Sequence, residues 1–221
     1  MSKQVVYIIS SMRSGSTLLK TLLSTRPDVS NLPEVNFHQA VNLAKLSNKR
    51  IVVLKSPAFY AQNNYPIFPS QFNQRIIVLV RNPYDTILSL HKMNLKNNLK
   101  LAFAMKEREL LNYWIMVYSN ILNKIKLEDK NIMLVRYEDI IKYSKQITSD
   151  IFSFVGSVNV EGTDHYKNPE DYNWKWGSDD GGDIIKTLKI QDLERKQINE
   201  KLKKIISSDS RAQFLLKEFG Y

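Results

Sequence analysis

The chain has 221 residues, 43% hydrophobic and 24% charged, which suits one domain of ordinary size with a sizeable core. Its net charge of +10 favours anionic partners, although much of the excess is Lys spread over helical segments and reads equally well as solvated surface. It has no cysteine, which excludes disulfides and Cys-based metal sites and leans towards a reducing, cytoplasmic setting; His38, His91 and His165 show no ligand spacing, and no run of eighteen apolar residues offers a membrane span.

Residues 4–10 (QVVYIIS) are continuously apolar, the pattern of a strand buried on both faces, and too short for the apolar core of a signal peptide. Residues 10–15 are small, polar and basic, and from Ser16 the spacing of Leu18, Leu19, Leu22 and Leu23 predicts a helix that ends before Pro27. A helix is expected over 35–47, and strands over 50–54 (RIVVL) and 75–80 (RIIVLV). Pro83 opens a helix, a long amphipathic helix is expected over 102–126, and 131–135 (NIMLV) reads as a fourth strand followed by a helix ending near Gly156. Residues 162–183, rich in Gly, Asp, Asn and Trp, read as a loop long enough to act as a lid. Helices over about 189–206 and 209–218 close the chain. The alternation of strands and helices predicts a single α/β domain over 1–221, with a parallel sheet flanked by helices and a ligand site beyond the carboxyl ends of the strands.

The segment SSMRSGST (Ser10 to Thr17) leaves the first strand and opens a helix, where unpaired N–H groups and the positive dipole end favour an anion. Set against the nucleotide-binding pattern G-x-x-x-x-G-K-[ST], the positions Ser10, Gly15, Ser16 and Thr17 fall in register. Ser10 replaces the first Gly and Ser16 replaces the Lys that reaches the terminal phosphates, which argues against an ATP-cleaving enzyme; the cation lies instead at Arg13. Farther along, Arg81 follows a buried strand and Ser89 lies on the helix after Pro83, a pairing suited to a second, separate phosphate.

Four segments, RSGSTLL, LKSP, RIIVLVRNPYDTILSLHK and VRYEDI, occur in an order that resembles the sulfotransferases dependent on 3′-phosphoadenylyl sulfate (PAPS), over residues 5 to about 156. The resemblance implies a P-loop-like α/β fold. It implies that Arg13, Ser14, Gly15, Ser16 and Thr17 hold the 5′-phosphosulfate, that Arg81 and Ser89 hold the 3′-phosphate, and that Tyr137 belongs to the nucleotide pocket. Lys55 resembles the family's catalytic Lys, and Arg13 would stabilise the leaving phosphate. Pro57 stands where the cytosolic branch of the family has its catalytic His, so the chain is more similar to the Golgi and bacterial branch, which implies Glu34 as general base; His38, one helical turn later in the sequence, is the reserve. Leu18 stands where the cytosolic branch stacks an aromatic on adenine. Trp174, Lys175 and Ser178 are candidates, by position in the late loop, for contacts to the 3′-phosphate. The implied acceptor is a small or carbohydrate-like molecule carrying a hydroxyl or an amine, with no metal and no nucleic acid involved. The competing expectations are a P-loop-type small-molecule kinase and, from charge alone, a nucleic-acid binding module.

Overall fold

Five apolar segments form one sheet: β1 (Lys3–Ile9), β2 (Val29–Asn31), β3 (Ile51–Lys55), β4 (Phe72–Val80) and β5 (Ile132–Arg136). They pair in parallel in the order β2-β3-β1-β4-β5. The computed structural model describes residues 3–31, 37–55, 72–97, 106–167, 188–190 and 199–221.

The central strands are apolar at successive positions because both faces are covered. On one face Val5, Tyr7, Ile9, Val52, Leu54, Val78 and Val80 pack against α3 (Pro83–Asn97), α4 (Glu107–Leu122), α7 (Glu200–Ser207) and α8 (Ser210–Glu218). On the other, Val6, Ile8, Val53, Ile77, Leu79 and Val135 pack against α1 (Ser16–Leu23), α5 (Tyr137–Lys142) and α6 (Ser144–Val155). A further helix, α2 (Phe37–Leu46), joins β2 to β3 and contributes Ala44 to the first cluster. The registers Ile8↔Lys55, Ile9↔Val78 and Val80↔Arg136 bring the carboxyl ends of four strands to one edge. From β1 the chain leaves on the α1 face towards β2 and β3; from β4 it leaves on the α3 and α4 face towards β5. The direction of winding therefore switches between β1 and β4, the place where an open parallel sheet forms a ligand crevice.

Several local expectations are revised. The three-residue β2 adds a fifth strand at the sheet edge, and β4 starts at Phe72, three residues before the expected strand. The helix expected to end near Gly156 is two, interrupted at Tyr143 (φ −127°), and Gly156 closes α6 in the left-handed conformation (φ 71°). Of the helix expected over about 189–206, α7 is described over Glu200–Ser207, where the Asn199 side chain accepts a hydrogen bond from Leu202 N at 3.0 Å and caps the first turn; residues 191–198 lie outside the described residues. Lys189 instead forms an isolated antiparallel bridge with His165. The helix expected over 102–126 is described over Glu107–Leu122, and of the loop expected over 162–183 only residues up to 167 are described. Among the described residues no helix is long and apolar enough to cross a membrane.

Ile77 lies fully buried in β4 at the centre of the second cluster, whereas Leu46 at the end of α2 is 81% exposed. Ile77→Ala is expected to lower unfolding free energy by about 2–5 kcal/mol with an unchanged denaturant slope. Leu46→Ala should shift it by less than about 0.5 kcal/mol. Urea titrations followed by circular dichroism measure both.

Candidate active site

Beyond Ile9 the chain runs through Ser10, Ser11 and Ser14, all fully buried, and turns into α1 through two left-handed residues, Arg13 (φ 63°) and Gly15 (φ 89°). Gly15 is the N-cap of α1 and brings no side chain to cap it. A residue with a Cβ is excluded at this position, because the Tyr137 ring lies directly against the glycine. Tyr137 is the first residue of α5, delivered by the carboxyl end of β5. Its other neighbour is Arg81, whose guanidinium carbon is 4.4 Å from the ring centroid. Arg81 follows β4 directly, and its Nη1 donates to the main-chain oxygen of Arg13 at 3.0 Å. The guanidinium of Arg13 turns towards α3, where its Nε donates to Ser89 Oγ at 3.1 Å. Lys55, 5% exposed, ends β3 at the same edge.

The loop, the ends of β3 and β4, the first turn of α5 and α3 thus bring Arg13, Ser14, Gly15, Ser16, Thr17, Lys55, Arg81, Ser89 and Tyr137 to one region of the sheet edge. Arg13, Lys55 and Arg81 add their charges to the positive end of α1, a field suited to an anion with more than one charge. Among the described residues, two buried polar atoms there lack a hydrogen-bonding partner: Arg81 Nε and Ser10 Oγ. A buried donor without an acceptor is costly, and an anion placed against it removes the cost. Burial pushes the Tyr137 phenol above its ordinary pKa, so it stays neutral near pH 7 and acts as a ring surface and hydroxyl. Behind Arg81, Glu138 accepts from Asn82 N at 2.9 Å and from the Tyr221 hydroxyl at 2.6 Å, which ties the first turn of α5 to the start of α3. Among the described residues no group of three His, Asp or Glu side chains has a metal-binding arrangement.

The floor of the loop comes from residues that sequence patterning did not single out. Three aromatic side chains of α4 point at it or at the residue that follows β4. Tyr118 OH donates to Leu79 O at 2.8 Å and lies 3.1 Å from Ser14 Oγ, which is 2.7 Å from Ser11 Oγ. Tyr113 OH accepts from Met12 N at 2.9 Å, and Trp114 Nε1 donates to Arg81 O at 3.1 Å. Burial raises both phenols, Tyr113 to about 12, so both keep their protons. In the sequence these three residues are apolar-face positions of an amphipathic helix, and nothing in their spacing distinguishes a hydroxyl aimed at a loop from one aimed at solvent. Of the other candidates, Glu34, Trp174, Lys175 and Ser178 lie outside the described residues, as does Pro57. His38 is placed on the first turn of α2, and Leu18 is partly buried against the second cluster.

Comparison with known proteins bears on this arrangement. No curated protein matches the chain. Among solved structures, a sulfotransferase domain from the curacin biosynthetic pathway superposes with a TM-score of 0.63 at 22% identity, covering 99% of this chain and 98% of that one. A sulfotransferase domain from the olefin synthase of a Synechococcus gives 0.63 at 18% identity, with 100% and 96% covered. A mouse sulfotransferase crystallised with PAP (adenosine 3′,5′-bisphosphate) gives 0.50 at 20% identity, with 71% and 60% covered. At these identities the superpositions establish a shared fold. The sulfotransferase domain family model matches residues 3–170, which takes in β1, the anion loop, Lys55, Arg81, Ser89 and Tyr137, and so the chain belongs to the sulfotransferase family, enzymes that transfer a sulfuryl group.

Proposed function

We propose that the protein transfers the sulfuryl group of PAPS to a hydroxyl or amine of a small or carbohydrate-like acceptor and releases PAP. The observation that carries this reading is the coincidence, at one crevice, of an α1 start with no side-chain cap and an Arg81 whose buried Nε lacks a partner. These are two anion-binding features on different strands, as a nucleotide with separate 5′ and 3′ anionic groups requires. The mouse relative of like fold crystallised with PAP supports the same donor.

In this reading the N–H groups at the start of α1, with Arg13, Ser14, Gly15, Ser16 and Thr17, hold the 5′-phosphosulfate, while Arg81 and Ser89 hold the 3′-phosphate. Tyr137 shapes the nucleotide pocket, and Trp174 and Lys175 are assigned to the 3′-phosphate by their position in the sequence alone. The acceptor oxygen or nitrogen attacks sulfur as the bond from sulfur to the 5′-phosphate oxygen breaks. The bonding pair leaves with the phosphate, next to Arg13, and Lys55 neutralises the transferring group. Glu34, or His38 in its place, takes the acceptor proton. Positioning and fixed charge supply most of the acceleration. The base contributes roughly 10²–10⁴-fold. Protein cations carry the charge neutralisation, so the reaction proceeds without a metal. The cysteine-free composition suits a cytoplasmic enzyme.

The contacts of Arg81 refine what its loss would do. Arg81 holds the Arg13 carbonyl and lies over Tyr137, so removing it strands a 3′-phosphate and also loosens the 5′ loop. Arg81→Ala is expected to weaken PAP binding by about 30-fold or more. Adenylyl sulfate, which has no 3′-phosphate, should weaken by only about 3- to 10-fold. Calorimetric titration of both ligands measures the difference, and equal losses would remove the 3′-phosphate from Arg81.

Glu34→Gln keeps the shape of the carboxylate but takes no proton near neutral pH. Turnover should fall about 10²-fold or more with PAP affinity unchanged within about 3-fold, and the acidic limb of the pH–rate profile should vanish. His38→Ala should cost less. Steady-state rates with labelled PAPS and an acceptor found by screening decide between them: normal turnover in Glu34→Gln with collapse in His38→Ala would move the role to His38.

A further inference from the structure

The chain spends an unusual set of buried hydroxyls on a loop far away in sequence. Tyr118 is fully buried, and its single oxygen meets four groups: Leu79 O, Ser14 Oγ at 3.1 Å, Ser11 N at 3.4 Å and Ser11 Oγ at 3.4 Å. A phenylalanine would fill the same space in the core. Its ring already packs as an apolar side chain, with centroids 4.9 Å from Trp114 and 5.3 Å from Phe219, the residue that caps α8. The hydroxyl therefore contributes only to the polar contacts, and all of these go to the loop after β1 or to the carboxyl end of β4. On the same helix, Tyr113 and Trp114 repeat the pattern. Tyr113 OH accepts from Met12 N, and Trp114 Nε1 donates to the carbonyl of Arg81. Three neighbouring side chains of α4 thus clamp both anion-binding segments, the loop after β1 and the residue after β4.

We infer that α4 is the positioning element of the nucleotide site and that Tyr118 is its central residue, holding Ser11 and Ser14 so that the loop keeps its ligand-ready shape before any ligand arrives. Tyr118 is a positioning residue: it acts through Ser11, Ser14 and Leu79 and touches no reacting atom. The physical need is clear from the loop itself. It contains two left-handed residues, one of them the non-glycine Arg13, and such a backbone persists only where its surroundings determine it. It also gathers positive charge around the start of α1, which opposes the same conformation when no anion is bound. A loop with these two costs relaxes unless it is held from below. The network is also one that cannot be half built, since removing the hub leaves a buried N–H and a buried carbonyl short of a partner.

The inference rests on the donor reading for its ligand but not for its structural content, and two measurements separate them. The first is amide hydrogen exchange of the ligand-free protein. In Tyr118→Phe the Met12 amide should exchange at least about 10-fold faster, although its own acceptor, the Tyr113 hydroxyl, is still present. Unchanged Met12 exchange overturns the inference. The second is PAP affinity by calorimetry, which should fall about 5- to 50-fold in Tyr118→Phe. Ile151→Val, a trim of the core on the opposite face of the sheet, should lower the melting temperature without moving either readout. If Ile151→Val weakens PAP as much as Tyr118→Phe does, the effect is general destabilisation and the inference fails. Should Tyr118→Phe not fold, Tyr113→Phe takes its place, with the Ser14 amide as the reporter and the same two outcomes. A wild-type protein that ignores PAP while Tyr118→Phe speeds Met12 exchange refutes the donor reading and leaves the positioning role standing.

Discussion

Holding Arg13, Lys55 and Arg81 at one sheet edge, against the positive end of α1, is the constraint on which the rest of the structure depends. Like charges and an aligned helix dipole oppose one another unless an anion completes the arrangement. The fold answers with geometry. A parallel sheet delivers the ends of β1, β3, β4 and β5 to one level, so cations from distant parts of the sequence reach one crevice without long side-chain excursions. The switch in winding between β1 and β4 keeps helices from closing over that level.

Local features follow from the same demand. Gly15 brings backbone N–H groups to the crevice and lets the Tyr137 ring lie against the loop; a methyl group there would meet the ring. Tyr137 in turn supports the guanidinium of Arg81, which reaches the Arg13 carbonyl and fixes its left-handed turn. The contact between Arg13 and Ser89 means that the loop and α3 share a side chain, so the two form one unit. Beneath them α4 supplies hydroxyls that remain protonated because burial raises their pKa values. α8 backs this layer through Phe219, which meets Trp114 edge-on with centroids 6.5 Å apart.

How much of this was legible in the sequence differs by kind of interaction. The runs VVYII, IVVL, RIIVLV and IMLV announce strands buried on both faces because apolar continuity is a local signal. The loop announces itself because Gly15, Arg13 and the Ser/Thr positions sit in a fixed register between a strand and a helix. The three residues of β2 carry no such run; this strand exists because β3 offers it an edge. The start of α7 at Glu200 is marked by the Asn199 cap, a single side chain that the Lys-rich periodicity does not single out. Tyr113, Trp114 and Tyr118 were legible only as core positions, since their polar atoms meet partners as many as 107 residues away. Glu34, Trp174 and Lys175 rest on resemblance to the family, with Arg13, Lys55 and Arg81 resting on resemblance and placement together.

The central claim is that this crevice is built for a nucleotide with anions at both its 3′ and 5′ positions. Isothermal titration of the wild-type protein with PAP, in excess chelator, tests it most directly, with ATP and Mg²⁺ as the comparison. The account predicts micromolar or tighter PAP binding that is indifferent to chelator, and at least about 10-fold weaker binding of ATP with Mg²⁺, because ATP offers Arg81 and Ser89 no 3′-phosphate. Binding of ATP that requires Mg²⁺, with no heat from PAP, would contradict it.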